Sequence, residues 1–334
     1  MLSDNLNDNL CFTAADFDRQ ALKRSDKEWL ANQFNDNNSL FLVFWDNKFL
    51  TEDDLSIKFI ERLSAEQLNS KGLCWSYMGQ LEEFSDEPSV PASDQPNAQV
   101  DSRAVFAAEI THPTAECLEA NWSSLRSLGL LMTSEVANLL AYTQGLLKWQ
   151  SNNNFCSLCA STLAIKQAGH SLVCTNIECT KEIFPRTDPA VIVLIYNQDA
   201  CLLGRAASWP ENRYSCLAGF VETGENLDAA VRREVFEESG LQLKDISYRA
   251  SQPWPFPQSL MFGFHAEALS RELTFHDGEI QDARWFNREQ LLDAVANGEL
   301  HLSSSLSISY HLIEDWFNQQ SDIPLNELIK KLIK

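Results

Sequence analysis

The sequence predicts an α/β protein: an α/β/α sandwich in its C-terminal half, a small cysteine-held module ahead of it, and a mixed α+β N-terminal domain. Three observations predict this. A β-branched run, Pro189–Tyr196 (PAVIVLIY), opens a region in which strand-like and helix-like segments alternate. Two short-spaced cysteine pairs, Cys156/Cys159 and Cys174/Cys179, lie just before it. The chain has 334 residues, 44% of them hydrophobic, which is more than one small module needs and enough to fill real cores. The expected divisions are 1–130 for the N-terminal domain, 131–185 for a linking helix and the cysteine module, 186–322 for the sandwich, and 323–334 for a C-terminal tail.

Near the N-terminus, Leu40–Trp45 (LFLVFW), Asp46-Asn47 and Lys48–Leu50 read as a hairpin, and Leu73–Met78 as a further strand. Glu82–Asn97 (EEFSDEPSVPASDQPN) holds three prolines and five acids, which reads as a solvated loop. Ser134–Trp149 spaces Val136, Leu139, Leu140, Leu146 and Leu147 as a helix packed on one side would. In the sandwich, strands are expected at Val191–Tyr196, Cys201–Leu203, Tyr214–Val221, Ile246–Ser251, Leu260–Ala266 and Ile280–Phe286, with a turn at Asn197–Asp199. Helices are expected at Leu227–Ser239, Arg288–Asn297 and Ser305–Gln319, the second opened by an Asn287/Gln290 capping pair. No internal repeat is visible.

The chain carries 47 acidic and 26 basic residues, a formal charge of −21. Residues 1–155 hold 23 acids and 11 bases and residues 156–334 hold 24 and 15, so neither half is a basic domain built to grip long nucleic-acid backbones. Nucleotides stay open to an acidic protein, because metal ions can bridge it to phosphates. The opening MLSDNLNDNL lacks a positive n-region and an apolar core, and PAVIVLIY is too short to span a bilayer. A cytoplasmic protein with no membrane partner is the expectation.

Five of the nine cysteines, Cys11, Cys74, Cys117, Cys201 and Cys216, are scattered singly and read as small apolar residues. The pairs CSLC (Cys156, Cys159) and CTNIEC (Cys174, Cys179) each place two thiolates on one tight turn, and facing turns complete a tetrahedral Zn²⁺ site. Four thiolates leave no open position, so the zinc is structural and holds a module too small for a core of its own. Only Lys166 and His170 stand as candidate cations in that span, against Glu178, which argues against nucleic-acid binding there.

Gly219–Leu241 (GFVETGENLDAAVRREVFEESGL) satisfies the pattern G-x5-E-x7-R-E-U-x-E-E-x-G-U, where U is bulky aliphatic, at Gly219, Glu225, Arg233, Glu234, Val235, Glu237, Glu238, Gly240 and Leu241. Glu234, Glu237 and Glu238 stand at i, i+3 and i+4, hence on one helical face. Carboxylates so close repel one another unless cations compensate. Hard divalent ions, Mg²⁺ or Mn²⁺, shared with pyrophosphate oxygens do so, and Arg233 is a natural orienting partner for one glutamate. The bland alternative is a solvated acidic face. Beyond the box, Ser251–Ser259 (SQPWPFPQS) alternates Pro253, Pro255 and Pro257 with Trp254 and Phe256. On the residues alone this is either a stiff platform for a flat ring or a proline-stiffened edge strand with core aromatics.

These motifs resemble a known family. The box is similar to the Nudix hydrolase signature; with SQPWPFPQS behind it and a four-cysteine knuckle ahead, the chain resembles the NADH pyrophosphatase (NudC-type) family. The resemblance is strong over roughly 130–320 and implies a Nudix α/β/α sandwich, a zinc ribbon and a Nudix-like N-terminal domain. It implies hydrolysis of the pyrophosphate of NADH, and less readily NAD⁺, to NMNH or NMN plus AMP; some members remove NAD caps from RNA 5′ ends. It also implies a homodimer. Matched residue by residue, Glu234, Glu237, Glu238 and Glu279 become metal ligands, with the backbone oxygen of Ala218 beside them. Gln252, Pro253, Trp254, Pro255, Phe256, Pro257, Gln258 and Ser259 become the substrate segment, and Phe184 and Phe220 ring-stacking positions. Ser309 falls at a substrate contact where the family usually has alanine, and the second cysteine pair is spaced by four residues where two are usual. Three rival readings remain: a Nudix hydrolase for ADP-ribose or diadenosine polyphosphates, an enzyme for NAD-capped RNA, and a non-catalytic nucleotide sensor, which the complete set of box glutamates disfavours.

Overall fold

A computed structural model describes residues 6–13, 17–70, 73–82, 102–111, 118–275 and 278–332. The acidic segment expected to be a loop lies, beyond Glu82, outside the described residues, as does Cys117. The chain forms two compact units: Ala14–Arg186, and Thr187–Lys334 together with Met1–Thr13. Among the described residues no helix is long and apolar enough to cross a membrane.

In the first unit, helix α1 (Lys27–Asn35) is capped by the Asp26 carboxylate, which accepts the Trp29 N–H at 3.0 Å. Strands β1 (Leu40–Trp45) and β2 (Lys48–Thr51) form the expected hairpin. Asp46 and Asn47 take φ of 47° and 61°, the left-handed pair that matches strand twist and that Asp and Asn tolerate. Helix α2 (Arg62–Ser70) leads to β3 (Ser76–Glu82), β4 (Ser102–Glu109) and β5 (Asn121–Ser124). The sheet order is β3-β4-β1-β2-β5, with β1 parallel to β4 and the other pairs antiparallel. Phe41 and Phe106 stack at 5.6 Å on one face, boxed by Phe34, Trp75 and Tyr77. Helix α3 (Ser134–Asn152) buries Leu139, Leu140, Leu146, Leu147 and Trp149, as its periodicity predicts. Short strands β6 (Leu163–Lys166), β7 (Ser171–Cys174) and β8 (Glu182–Ile183) then make a three-stranded ribbon.

In the second unit, β9 (Asp188–Asn197) is the central strand. Strand β10 (Ala200–Ala206) pairs with its C-terminal part and β11 (Leu217–Phe220) with its N-terminal part. Helix α4 (Leu227–Ser239), β12 (Leu243–Trp254), β13 (Ser259–Ala268), β14 (Ile280–Asn287), and helices α5 (Arg288–Ala296), α6 (Ile308–Asn318) and α7 (Leu325–Leu332) follow. The order is β12-β13-β9-β10-β14 with β11 on β9, and β9 runs parallel to β13. The unbroken apolar run of β9 serves both faces of the sheet. Val191, Val193 and Ile195 pack with Val231 and Val235 of α4, while Ile192 and Leu194 pack with Leu291, Leu312 and Trp316 of α5 and α6. This is the α/β/α sandwich that the resemblance implies. The Asn287/Gln290 capping box forms as expected, with bonds of 2.8 and 3.0 Å.

Three local features differ from the sequence expectations. Strand β11 is shorter than Tyr214–Val221, and Ala218 and Phe220 on it are exposed. The segment expected as a tail contains helix α7, which seats Leu325 in the core beside Trp316 and Phe317. Residues 6–13 belong with this unit, because Leu10 and Leu6 pack into the cluster under α5 and α6.

Candidate active site

Helix α4 is defined at both ends. The Asn226 side chain accepts the Ala229 N–H at 2.9 Å, and Gly240 closes the helix at φ 71°, where a Cβ would stand 2.9 Å from Thr274. With Ala230, Val231 and Val235 turned into the sheet, Glu234, Glu237 and Glu238 fall on the flank of the helix at different depths. Glu238 is 5% exposed, the Glu234 carboxylate is largely covered, and Glu237 is open.

Arg233 organises this flank. Its guanidinium grips Glu225 in a fork, Nε to Oε1 at 2.7 Å and Nη2 to Oε2 at 2.9 Å. Its Nη1 donates to Glu237 and to Glu234 at 2.9 Å each, and Nη2 also donates to the Phe220 carbonyl at 2.9 Å. The arginine beside it, aided by the Glu222 N–H, holds Glu225 down to about 2. Glu225 belongs to the box pattern but carried no role from sequence; its box position was the signal that a fixed partner stood there. Glu234 moves the other way. Burial raises it, the charges of Glu237 and Glu279 add to the rise, and Arg233 only partly offsets them. Glu279, just before β14, is therefore within electrostatic reach of the α4 carboxylates.

Gly219 explains how backbone and helix approach. A Cβ built there would stand 1.9 Å from Cδ of Glu234, so any side chain would displace that carboxylate. The donors gathered here, carboxylate oxygens beside the backbone of Ala218 and Gly219, are the hard set that Mg²⁺ and Mn²⁺ take. With Arg233 divided among three glutamates, the flank keeps uncompensated negative charge. The residues present fit divalent cations.

The SQPWPFPQS segment is the end of an edge strand and the hairpin turn that follows it: β12 runs into a turn at residues 255–258 and returns as β13, with Trp254 opposite Ser259. Strand β12 lies at the sheet edge, which is where a strand proline such as Pro253 is tolerated. Trp254 and Phe256 meet edge to face at 5.0 Å, an aromatic pair at the tip of the edge strand. Gln258 is tied to Asp188, its Nε2 donating to Oδ2 at 3.0 Å while its carbonyl accepts the Asp188 N–H at 2.8 Å. The register relates this hairpin to the box. Gln252 pairs with Met261, Met261 with Ala190 and Ala190 with Phe220, so the platform and Phe220 stand at the same end of the sheet. Residues paired in this way share a face. Phe220, 58% exposed, therefore belongs to the face of the Gln252 row, while Gly219 faces α4.

Three residues expected at the substrate are buried instead: Pro255 in the turn, Gln252 and Ser309. Gln252 has no exposed surface; its Nε2 donates to the carbonyls of Leu306 at 2.8 Å and Cys11 at 3.1 Å, and its Oε1 accepts the Ile308 N–H at 2.8 Å. Its amide is fully used in holding the platform's underside. Ser309 is equally buried, its hydroxyl bonded to Ser215 Oγ at 2.7 Å and to the Cys216 N–H at 3.1 Å. The serine where alanine is usual is a core hydrogen-bonding group. Phe184, 60% exposed, belongs to the other unit.

That unit carries the cysteine centre. The sulfurs of Cys156, Cys159, Cys174 and Cys179 all lie within 4.8 Å of one another, with Cys159–Cys174 at 3.4 Å and Cys156–Cys179 at 3.7 Å. A zinc tetrahedron with Zn–S of about 2.3 Å has S···S edges of about 3.8 Å, so the set fits that metal. Each knuckle is a backbone turn: Ala160 N–H bonds to the Cys156 carbonyl at 2.9 Å, and Thr180 N–H to the Asn176 carbonyl at 3.0 Å. Backbone amides lower two of the thiols, Cys159 to about 6 with Ser161 beside it and Cys156 with Leu158 beside it, while Cys174 is pushed up by burial. The longer CTNIEC spacing is absorbed in the second turn.

Comparison with known proteins agrees with this geometry. The family model of the NUDIX domain matches residues 186–305, and that of the NADH pyrophosphatase-like rudimentary NUDIX domain matches residues 38–149. The protein is 32% identical to the NAD-capped RNA hydrolase NUDT12 of Macaca fascicularis over 91% of this chain and 72% of that one, and the same holds for the protein of that name in Homo sapiens. It is 43% identical to the NAD-capped RNA hydrolase NudC of Mycobacterium bovis over 58% of this chain and 64% of the relative.

Proposed function

The chain belongs to the NADH pyrophosphatase (NudC-type) family of Nudix hydrolases, and on that premise we propose that it hydrolyses the pyrophosphate bond of NADH and NAD⁺, giving NMNH or NMN plus AMP. The observation that carries the proposal is the α4 flank: three carboxylates with one shared arginine, set against a glycine whose missing side chain leaves Glu234 its place.

In this reading Glu234, Glu238, Glu279 and the Ala218 carbonyl hold Mg²⁺ or Mn²⁺. The bound cations neutralise phosphate charge and lower the pKa of the attacking water. Arg233 keeps the Phe220–Glu225 loop and the helix in one arrangement, so that the carboxylates are set before substrate arrives. Trp254, Phe256 and Phe220 offer faces to the flat rings, and Pro253, Pro255 and Pro257 limit the backbone freedom that binding must remove. Water adds to one phosphorus as its bond to the bridging oxygen breaks, and the departing phosphate leaves on NMNH or AMP. Glu237 and Glu279, the open carboxylates, are the candidates to take the proton from that water.

The four thiols hold structural Zn²⁺, which calls for a reducing compartment and suits a cytoplasmic protein. The family resemblance supports a homodimer. A second reading, release of NAD caps from RNA 5′ ends, is favoured by the names of the relatives and uses the same residues. Incubation with NADH and Mg²⁺ or Mn²⁺ followed by product identification tests the proposal: NMNH and AMP are expected, and absence of turnover with both ions defeats it. Comparing free NADH with capped RNA over a salt series separates the two readings, since contacts to the RNA body weaken with salt.

A further inference from the structure

Residues 6–13 lie outside both family-matched regions, yet their anchors end on one place. Leu6–Asn9 form a 3-10 turn, closed by the Thr13 hydroxyl, which donates to the carbonyls of Leu10 at 2.6 Å and Asn7 at 3.0 Å. Leu10 roots the segment in the core. From there two polar contacts reach β12. The Asn7 Oδ1 accepts the Ser251 N–H at 3.1 Å, and the Cys11 carbonyl accepts the Gln252 side-chain N–H at 3.1 Å. Phe12, with no exposed surface, sets its ring 6.4 Å from Phe256, the partner of Trp254.

The backbone at Phe12 adds an independent observation. Its φ is 73°, a region bulky residues avoid and hold only where the surroundings over-determine it. The ring is turned under the platform at that conformational expense. Gln252 is the junction, because the same amide that meets Cys11 also meets Leu306 and Ile308 at the start of α6. Without the segment, one buried donor of that amide has no acceptor and the back of the aromatic pair is open.

We propose that residues 6–13 are a positioning strap for the dinucleotide platform, with Asn7 and Phe12 fixing Ser251–Phe256 from behind. The strap touches no reacting atom; it sets where Trp254 and Phe256 stand when the base arrives. This rests on the proposed assignment of the hairpin to substrate. Loss of the strap should weaken binding of ground state and transition state alike, which raises KM and spares kcat.

The test uses the full chain with Asn7→Ala, Asn7→Asp and Phe12→Leu. Asn7→Asp keeps the acceptor for the Ser251 N–H and serves as the rescue. With NADH, Asn7→Ala and Phe12→Leu should raise KM about fivefold, the scale of one hydrogen bond, with kcat within about twofold. Asn7→Asp should keep the wild-type KM. Amide exchange at residues 251–259 should quicken in the first two variants and not in the third. Quickened exchange with unchanged KM overturns the positioning role. Unchanged exchange in both Asn7→Ala and Phe12→Leu overturns the strap itself, and does so even if the wild type leaves NADH intact, a result that would defeat the substrate assignment separately.

Discussion

The two units carry the same sheet. In chain order, β1, β2, β3, β4 and β5 correspond to β9, β10, β12, β13 and β14, and the spatial orders β3-β4-β1-β2-β5 and β12-β13-β9-β10-β14 match strand for strand. The directions match too, with the parallel pair β1/β4 answering β9/β13. Even the register shift of the edge strand recurs, at Tyr77/Gly79 and at Tyr248/Ala250. The connection after the second strand is where the units differ in chemistry. Between β2 and β3, residues 52–75 supply α2, whose helix reads RLSAEQLNS and carries one acid, Glu66, paired with Arg62. Between β10 and β12, residues 207–242 supply β11 and α4, with Gly219, Arg233 and the glutamates. The shared sheet is thus not what makes the site: the box carboxylates belong to that connection, while Glu279 and the aromatic hairpin belong to later ones.

This contrast can be broken by experiment. The largest effect is expected from Glu238→Gln, which removes a buried carboxylate from α4 and should cost more than about 100-fold in metal-dependent kcat. Glu66→Gln on α2 should leave kcat unchanged; an equal loss there would show that the first sheet also carries chemistry. Gly219→Ala comes next. Its methyl meets the Glu234 carboxylate, so turnover should fall roughly tenfold or more and the Mg²⁺ concentration for half-activity should rise, with little change in thermal stability. Wild-type metal dependence in this variant would remove the backbone approach from the account of the site.

The smallest effect concerns the first unit's stability. His170 is buried there, its Nε2 2.6 Å from the Tyr142 hydroxyl, and burial aided by Arg24 and Arg19 lowers it from 6.5 to about 3. The neutral ring is the native form, so its contribution is complete above pH 6.5 and declines as pH falls toward 3. The slope expected from one such proton is about 1.4 kcal/mol per pH unit. His170→Gln should flatten the urea-denaturation profile by that slope; an unchanged slope would mean that the ring is solvated.

The sequence made the box helix legible to the residue, because its capping, its i, i+3, i+4 carboxylates and its closing glycine are all local signals. The knuckles were legible for the same reason. The repeat between the units was legible only as the Nudix-like N-terminal domain that the resemblance implies, since strand order is a relation among distant segments that no local pattern spells out. Gln252 and Ser309 misled because a polar side chain in a substrate-like motif can equally be a core hydrogen-bonding group, and only burial distinguishes the two. The role of residues 6–13 was hidden for want of any local pattern: Asn7 and Phe12 acquire meaning only from contacts more than 200 positions away.

The edge position of β12 has one more consequence. An edge strand offers unpaired backbone donors and acceptors to any passing strand, and an exposed one invites aggregation. Near the end of β12 Pro253 brings no N–H, and the Ser251 N–H is already held by Asn7 at 3.1 Å, so a second strand finds those two donors missing where it would try to add. A strand proline and an amide already taken by residues 6–13 thereby make this end of the rim a poor template for another chain.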